Sequence, residues 1–144
     1  MTTGGDGAPE QDAGPERMVR LLAGFEVSQA LYAVAKLDIA TVMNEGVRDV
    51  AEIAARTGTD ALVVKRVLRT LGDFGVVDQR GDAEFVLTDS GTTLAANVPG
   101  SLRDLAIMLM ETHYLPFDRF VETVRTGRPA AEIYFGQTFF EWLN

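Results

Sequence analysis

The side chains able to do chemistry are few. Among 144 residues there is no Cys and one His, which excludes disulfides, thiolate metal sites and any multi-histidine metal centre. No metal is therefore expected. The one titratable group in suggestive surroundings is His113, within Glu111-Thr112-His113-Tyr114-Leu115-Pro116, where an apolar helical pattern breaks beside aromatic residues. Such a place suits a small-molecule pocket; the plainer alternative is a histidine that caps or packs its helix. Asp118 and Glu122 stand one helical turn apart, a spacing read as a solvated helix face. No G-x-G-x-x-G follows a strand, and neither G-x-x-x-x-G-K-[ST], G-x-S-x-G nor H-E-x-x-H occurs. Gly4-Gly5-Asp6-Gly7 has no strand before it, so it is not read as a phosphate cradle. No catalytic and no cofactor-binding residue is expected in the chain.

What the chain does have is aromatic surface. Eight of its twelve aromatic residues lie between Tyr114 and Trp142. Met110, Tyr114 and Phe117 are spaced i, i+4, i+7 and share a face if the helix persists to Pro116, with His113 beside them. Phe139 and Phe140 belong to a separate helix that must fold back across Gly127 and Pro129. Met110, His113, Tyr114, Phe117, Phe139 and Phe140 are thus the candidate substrate-binding residues. Together they would form an apolar slot with one titratable edge, suited to a flat aromatic molecule. The alternative is that they form core. The helix of Phe139, Phe140 and Trp142 also runs to Asn144 in mid-pattern, which predicts either a longer chain or a partner that covers it.

The elements that must position these residues are mostly helical. Residues 1–14 read as a disordered tail, Gly-rich and acidic, without the apolar stretch of a secretory signal. From Pro15 to Leu37 a helical pattern carries two opposed apolar stripes. Met18, Leu21, Leu22, Phe25 and Tyr32 form one; Val19, Ala23, Val27, Ala30, Leu31, Val34 and Leu37 form the other. Two stripes mean burial on two sides, and the first is assigned to a dimer interface. A short helix is expected over Asp38–Glu45. Asp49 and Glu52 predict a helix from Val50 to Gly58. Thr59 or Asp60 caps the next, with apolar positions Leu62, Val63, Val67, Leu68 and Leu71. The period then changes: Gly75–Asp78 and Glu84–Leu87 read as strands around a turn at Gln79–Asp82. Thr88-Asp89-Ser90-Gly91 caps a short helix through Leu94 and Ala95. Leu102–Met110 should be a deeply buried or sandwiched helix, and Phe117–Thr126 another.

The fold class is therefore mainly α: a winged helix, made of helix-turn-helix and two-stranded wing, with extra helices for dimerisation. Its expected extent is 15–144, divided into a winged helix over 37–98 and a helical pocket-wall segment over 99–144. A winged helix invites a nucleic-acid reading, and Lys65, Arg66 and Arg69 lie on its second helix. Yet the net charge is −8, and Asp60, Asp73, Asp78, Asp82, Glu84 and Asp89 surround them, against what phosphate binding requires. No nucleic acid is expected as a partner. The longest apolar run, Leu105–Met110, is far short of the roughly 20 residues that span a bilayer, so no membrane is expected and the cytoplasm is the default location.

In this order the elements resemble the N-terminal domain of the small-molecule O-methyltransferases of bacteria and plants, the hydroxyindole and acetylserotonin methyltransferases among them. The likeness is strongest to the actinobacterial branch that acts on polyketides and other secondary metabolites. It rests on Ala35–Ala40, Val50–Gly58, Val67–Leu71, Phe85–Thr88, Val124–Ala130 and Tyr134–Leu143. The resemblance implies an obligate homodimer with intertwined N-terminal helices and a winged helix that serves as scaffold. It implies that the helices around Met108–Phe117 and Tyr134–Trp142 form one wall of the acceptor pocket, for an aromatic or polyketide substrate. It also implies a second, Rossmann-like domain that binds S-adenosylmethionine and carries the catalytic base. That domain is expected to be absent from this chain, so methyl transfer belongs to the complete enzyme. Two rivals stand beside this reading: a winged-helix transcriptional regulator with an aromatic effector, and an accessory subunit completing a separate catalytic chain.

Overall fold

The computed structural model describes residues 14–144; the expected tail otherwise lies outside the described residues. The long N-terminal pattern forms two helices, α1 (Pro15–Leu22) and α2 (Gly24–Lys36), with a turn at Ala23 where one continuous helix was expected. Only α2 reaches the core. Val27, Ala30 and Leu31 pack against it, and Val34 and Ala35 are fully buried. The expected second stripe is therefore corrected at both ends: Val19 and Leu37 remain exposed, because the core ends below the one and above the other. α1 buries nothing in its own chain, and Met18, Leu21, Leu22 and Phe25 are each more than half exposed. By length and composition, Pro15–Lys36 would also pass for a membrane-crossing helix. Packing against the core accounts for one face of α2 only; the apolar side chains of α1 are left uncovered by their own chain.

Helix α3 (Ile39–Asn44) leads to the helix-turn-helix, α4 (Val50–Thr57) and α5 (Ala61–Gly72). The Asp49 carboxylate accepts the Glu52 N–H, and Asp60, not Thr59, caps α5 by accepting the Val63 N–H. Gly58 closes α4 in the left-handed region, φ 66°, the conformation that glycine adopts without steric penalty. The buried face of α5 is Val64, Leu68 and Leu71; Leu62 and Val63, expected on it, point outward. Strands β1 (Val77–Gln79) and β2 (Phe85–Leu87) pair antiparallel in the register Val77 to Leu87. The wing is pinned to the start of α4, since the Val50 N–H donates to the Ala83 carbonyl and the Phe85 N–H to the Arg48 carbonyl. Phe85, Ile53, Leu68, Leu71, Val34 and Val77 are the large side chains at the centre of the core. Helix α6 (Asp89–Thr92) is capped by Thr88, as its sequence predicts, but ends short of Leu94.

Helix α7 (Arg103–Met108) packs one face on α2 through Ala106. Its expected deep burial does not occur within one chain: Leu102, Leu105, Met108 and Leu109 are each more than 40% exposed. A π turn (Leu109–His113) and a 3-10 turn (Leu115–Arg119) follow, then α8 (Phe120–Thr126), α9 (Ala130–Phe135) and α10 (Phe139–Leu143). The helix expected over Phe117–Thr126 thus starts three residues later. Pro116, buried and without an N–H to donate, falls within the tighter turn.

Candidate functional site

The wall of the site is built where regular helix fails. The Tyr114 N–H donates to the Leu109 carbonyl at 2.9 Å, a π-type closure that inserts one residue into the helix. Met110, Tyr114 and Phe117 therefore no longer share one α-helical face. At the far end, Gly127 takes φ 77° and reverses the chain. The Thr138–Glu141 capping box then starts α10 and brings Phe139 back to His113, ring centroids 5.1 Å apart. Trp142 stacks on Phe135 at 4.1 Å and lies 6.0 Å from Phe139.

Two clefts result. His113, Phe117 and Phe139 line one of about 290 Å³, with Thr112, Pro116, Phe120, Thr123, Pro129, Ala130 and Ala131. Tyr114 and Phe117 line a more open one of about 710 Å³, with Leu115, Asp118, Tyr134 and Phe25. Of the six candidate residues, Phe117 touches both clefts, while Met110 and Phe140 line neither; Phe140 is 78% exposed. Sequence reasoning missed Phe120, Thr123 and the Pro129–Ala131 corner. The signal available was the Gly127-Arg128-Pro129 stop, which had to fold α9 back over the wall. Phe25, assigned to the dimer stripe, also lines the open cleft. Tyr32, assigned with it, is half-buried and engaged within its own chain.

The hydrogen bonds around His113 define its chemistry. The Thr112 hydroxyl lies 2.6 Å from the Met108 carbonyl and 2.7 Å from His113 Nδ1. Its single proton goes to the carbonyl, which only accepts, so Nδ1–H must be the donor to Thr112 Oγ1. With Nδ1–H so engaged, Nε2 is the ring nitrogen left for a ligand hydroxyl. Thr123 Oγ1, beside the cleft, is buried without a hydrogen-bond partner among the described residues. Across the wall, the Tyr32 hydroxyl donates to Glu111 Oε1 at 2.8 Å and the Lys36 ammonium donates to the same oxygen. The Lys36 bond first, then that of Tyr32, holds the Glu111 carboxyl below the usual carboxylate range. The bond to Glu111 raises both donors.

The helix-turn-helix surface is turned against phosphate. Lys65 on α5 donates to Asp82 of the wing at 2.9 Å, which depresses the Asp82 pKa, and Arg80 of the wing faces Asp78 at 3.5 Å. A mobility-shift assay with long duplex DNA at physiological salt is accordingly expected to show no complex. A sequence-specific shift that weakens steeply with salt would revive the regulator reading.

A winged helix flanked by an uncovered apolar helix is the frame of a dimerising domain, and the aromatic wall beside it offers a place for a small molecule. A family described as O-methyltransferase dimerisation domain matches residues 19–97, more than half the chain, and the chain belongs to that family. It is 35% identical over 126 residues to the phenazine O-methyltransferase PhzM of Lysobacter antibioticus, covering 88% of this chain and 37% of that one. It is 33% identical over 129 residues to the O-demethylpuromycin-O-methyltransferase of Streptomyces alboniger, covering 90% and 34%. The solved structure of LaPhzM superposes with a TM-score of 0.81 at 35% identity, over 88% of this chain and 38% of that one. The chain thus spans little more than a third of the length of these relatives. NcsB1 from neocarzinostatin biosynthesis, solved with S-adenosylmethionine and 2-hydroxy-5-methyl naphthoic acid, superposes at 0.74 with 29% identity, over 92% and 40%. The regulator reading finds no support in these comparisons.

Proposed function

We propose that this chain is the dimerising and acceptor-binding part of an S-adenosylmethionine-dependent O-methyltransferase whose substrate is a hydroxylated aromatic or polyketide secondary metabolite. The homodimer forms through the uncovered stripe Met18, Leu21, Leu22 and Phe25. The unit runs from 15 to 144, with the winged helix over 37–98 as scaffold and 99–144 as pocket wall. A cytoplasmic location belongs to the same reading. The described residues do not suit the methyl donor itself: the sheet is two short antiparallel strands, and the termini of α4, α5, α6 and α10 are already satisfied by side-chain caps. S-adenosylmethionine would be held by the complete enzyme elsewhere.

The observation that carries the reading is the apolar cleft edged by His113. Its Phe117, Phe120 and Phe139 rings offer apolar faces to a flat ring system, and His113 Nε2 accepts the hydroxyl that such a ring carries. Accepting that hydrogen bond orients the oxygen and increases its electron density, which is what a methyl acceptor needs. 2-Naphthol tests this directly. Trp142, the sole tryptophan, belongs to the same aromatic cluster, so its fluorescence should be quenched saturably on titration. His113→Ala should weaken the binding about fivefold, the value of one neutral hydrogen bond of about 1 kcal/mol, with an unchanged melting temperature. No saturable quench in the wild type, or equal affinity in the variant, would overturn the reading.

A further inference from the structure

The π turn at Leu109–His113 needs something to hold it. A π closure is locally unfavourable beside the α-helical alternative. Removing the inserted residue would also rotate everything downstream by about 100°, one residue's worth of helix. His113 and Phe117 would then turn away from Phe139 together. The turn is held from outside, by α2. Tyr32 and Lys36, one helical turn apart on α2, both donate to one oxygen of Glu111, at sequence separations of 79 and 75 residues. The next residue, Thr112, ties its hydroxyl to the Met108 carbonyl and to His113 Nδ1. Two adjacent residues thus join α2 to the histidine.

We propose that Glu111 is a positioning residue: anchored by Tyr32 and Lys36, it fixes the π register that sets His113 against Phe139. The uncovered helix α1 precedes α2 across the turn at Ala23, so the helix that anchors Glu111 also carries the dimer-forming arm. The inference rests on the reading of that cleft as an acceptor site, but its central contact can be measured without any ligand. The chain has one histidine, so the His113 Cε1–H signal in a proton spectrum is unambiguous. Its Overhauser contact with the Phe139 ring reports the register.

In Glu111→Ala that contact should be lost, while sedimentation mass stays as in the wild type. Glu111→Gln keeps an acceptor oxygen for Tyr32 and should restore the contact, which a general loss of stability would not do. Tyr32→Phe removes only one hydroxyl and serves as the milder variant should Glu111→Ala not fold; it should weaken the contact in the same direction. For 2-naphthol, Glu111→Ala should weaken binding at least as much as His113→Ala does, because Phe117 turns away with the histidine, and adding His113→Ala to it should weaken binding little further. An unchanged His113–Phe139 contact in folded Glu111→Ala or Tyr32→Phe overturns the proposal. Failure of 2-naphthol to bind the wild type would instead overturn only the acceptor reading.

Discussion

Leu22→Asp is expected to halve the mass of the particle in solution, from twice 15.6 kDa to 15.6 kDa, as read by sedimentation at micromolar concentration. Leu22 is 69% exposed in the single chain, and α1 contributes no buried residue to it. A substitution there has nothing to break in the monomer fold. At a dimer seam it places a carboxylate among apolar side chains without a partner, at a cost of several kcal/mol. The circular dichroism of the winged helix should persist while the mass falls. The exposed row along and beside α7, Leu102, Leu105, Met108 and Leu109, is a second surface that the monomer leaves open; its burial in the same assembly would make α7 the sandwiched helix its sequence predicts. A wild-type particle of 15.6 kDa, or a variant that keeps the doubled mass, would remove α1 from the interface.

Gly91→Ala is expected to destabilise the protein by about 3 kcal/mol or more, the upper end of what overpacking costs, lowering the melting temperature by on the order of 10 °C. A Cβ at Gly91 would stand 2.0 Å from the Val76 carbonyl oxygen, 3.1 Å from its carbon and 3.2 Å from Leu87 Cδ2. The first two are backbone atoms of the segment entering β1, and the Val76 carbonyl already accepts the Thr88 N–H at 3.1 Å. No rotamer relieves the overlap; the strand or α6 must move. Helix propensity alone argues the opposite, since alanine is favoured over glycine by about 1 kcal/mol in a helix. Gly72→Ala is the control. Its Cβ would meet only the Val77 carbonyl, at 3.7 Å, so it should be neutral or mildly stabilising. A Gly91→Ala protein that melts with the wild type would show that α6 and β1 can separate freely.

Wherever a residue's effect is set by its neighbours in sequence, the chain was legible. The Asp49, Asp60 and Thr88 caps and the Gly58 terminus are local chemistry and stand where the residue types place them; the hairpin forms too, but Gly75 and Val76 lie outside its first strand and Gln79, expected in the turn, pairs with Phe85. Boundaries drifted where several registers were locally equivalent: α5 buries Val64 instead of Leu62 and Val63, and the first helix breaks at Ala23.

The candidate site was legible in its parts and not in its assembly. His113, Phe117 and Phe139 meet in one cleft, while Tyr114 lines another and Met110 and Phe140 line neither. The i, i+4, i+7 rule assumes 3.6 residues per turn, and a π turn followed by a 3-10 turn departs from it in both directions. Nothing in Leu109–His113 itself demands that departure; it is sustained by Tyr32 and Lys36, far away in sequence.

By itself, then, the sequence determined the mainly helical winged-helix order, the excess of negative charge around the helix-turn-helix and the apolar excess on the N-terminal arm. Composition and short-range periodicity carry all three. Only the tertiary structure decided which apolar side chains form core and which stay open, that Glu111 links α2 to the wall, and that Gly91 admits no side chain. Each of these depends on atoms brought together by packing, at separations along the chain where no periodicity survives.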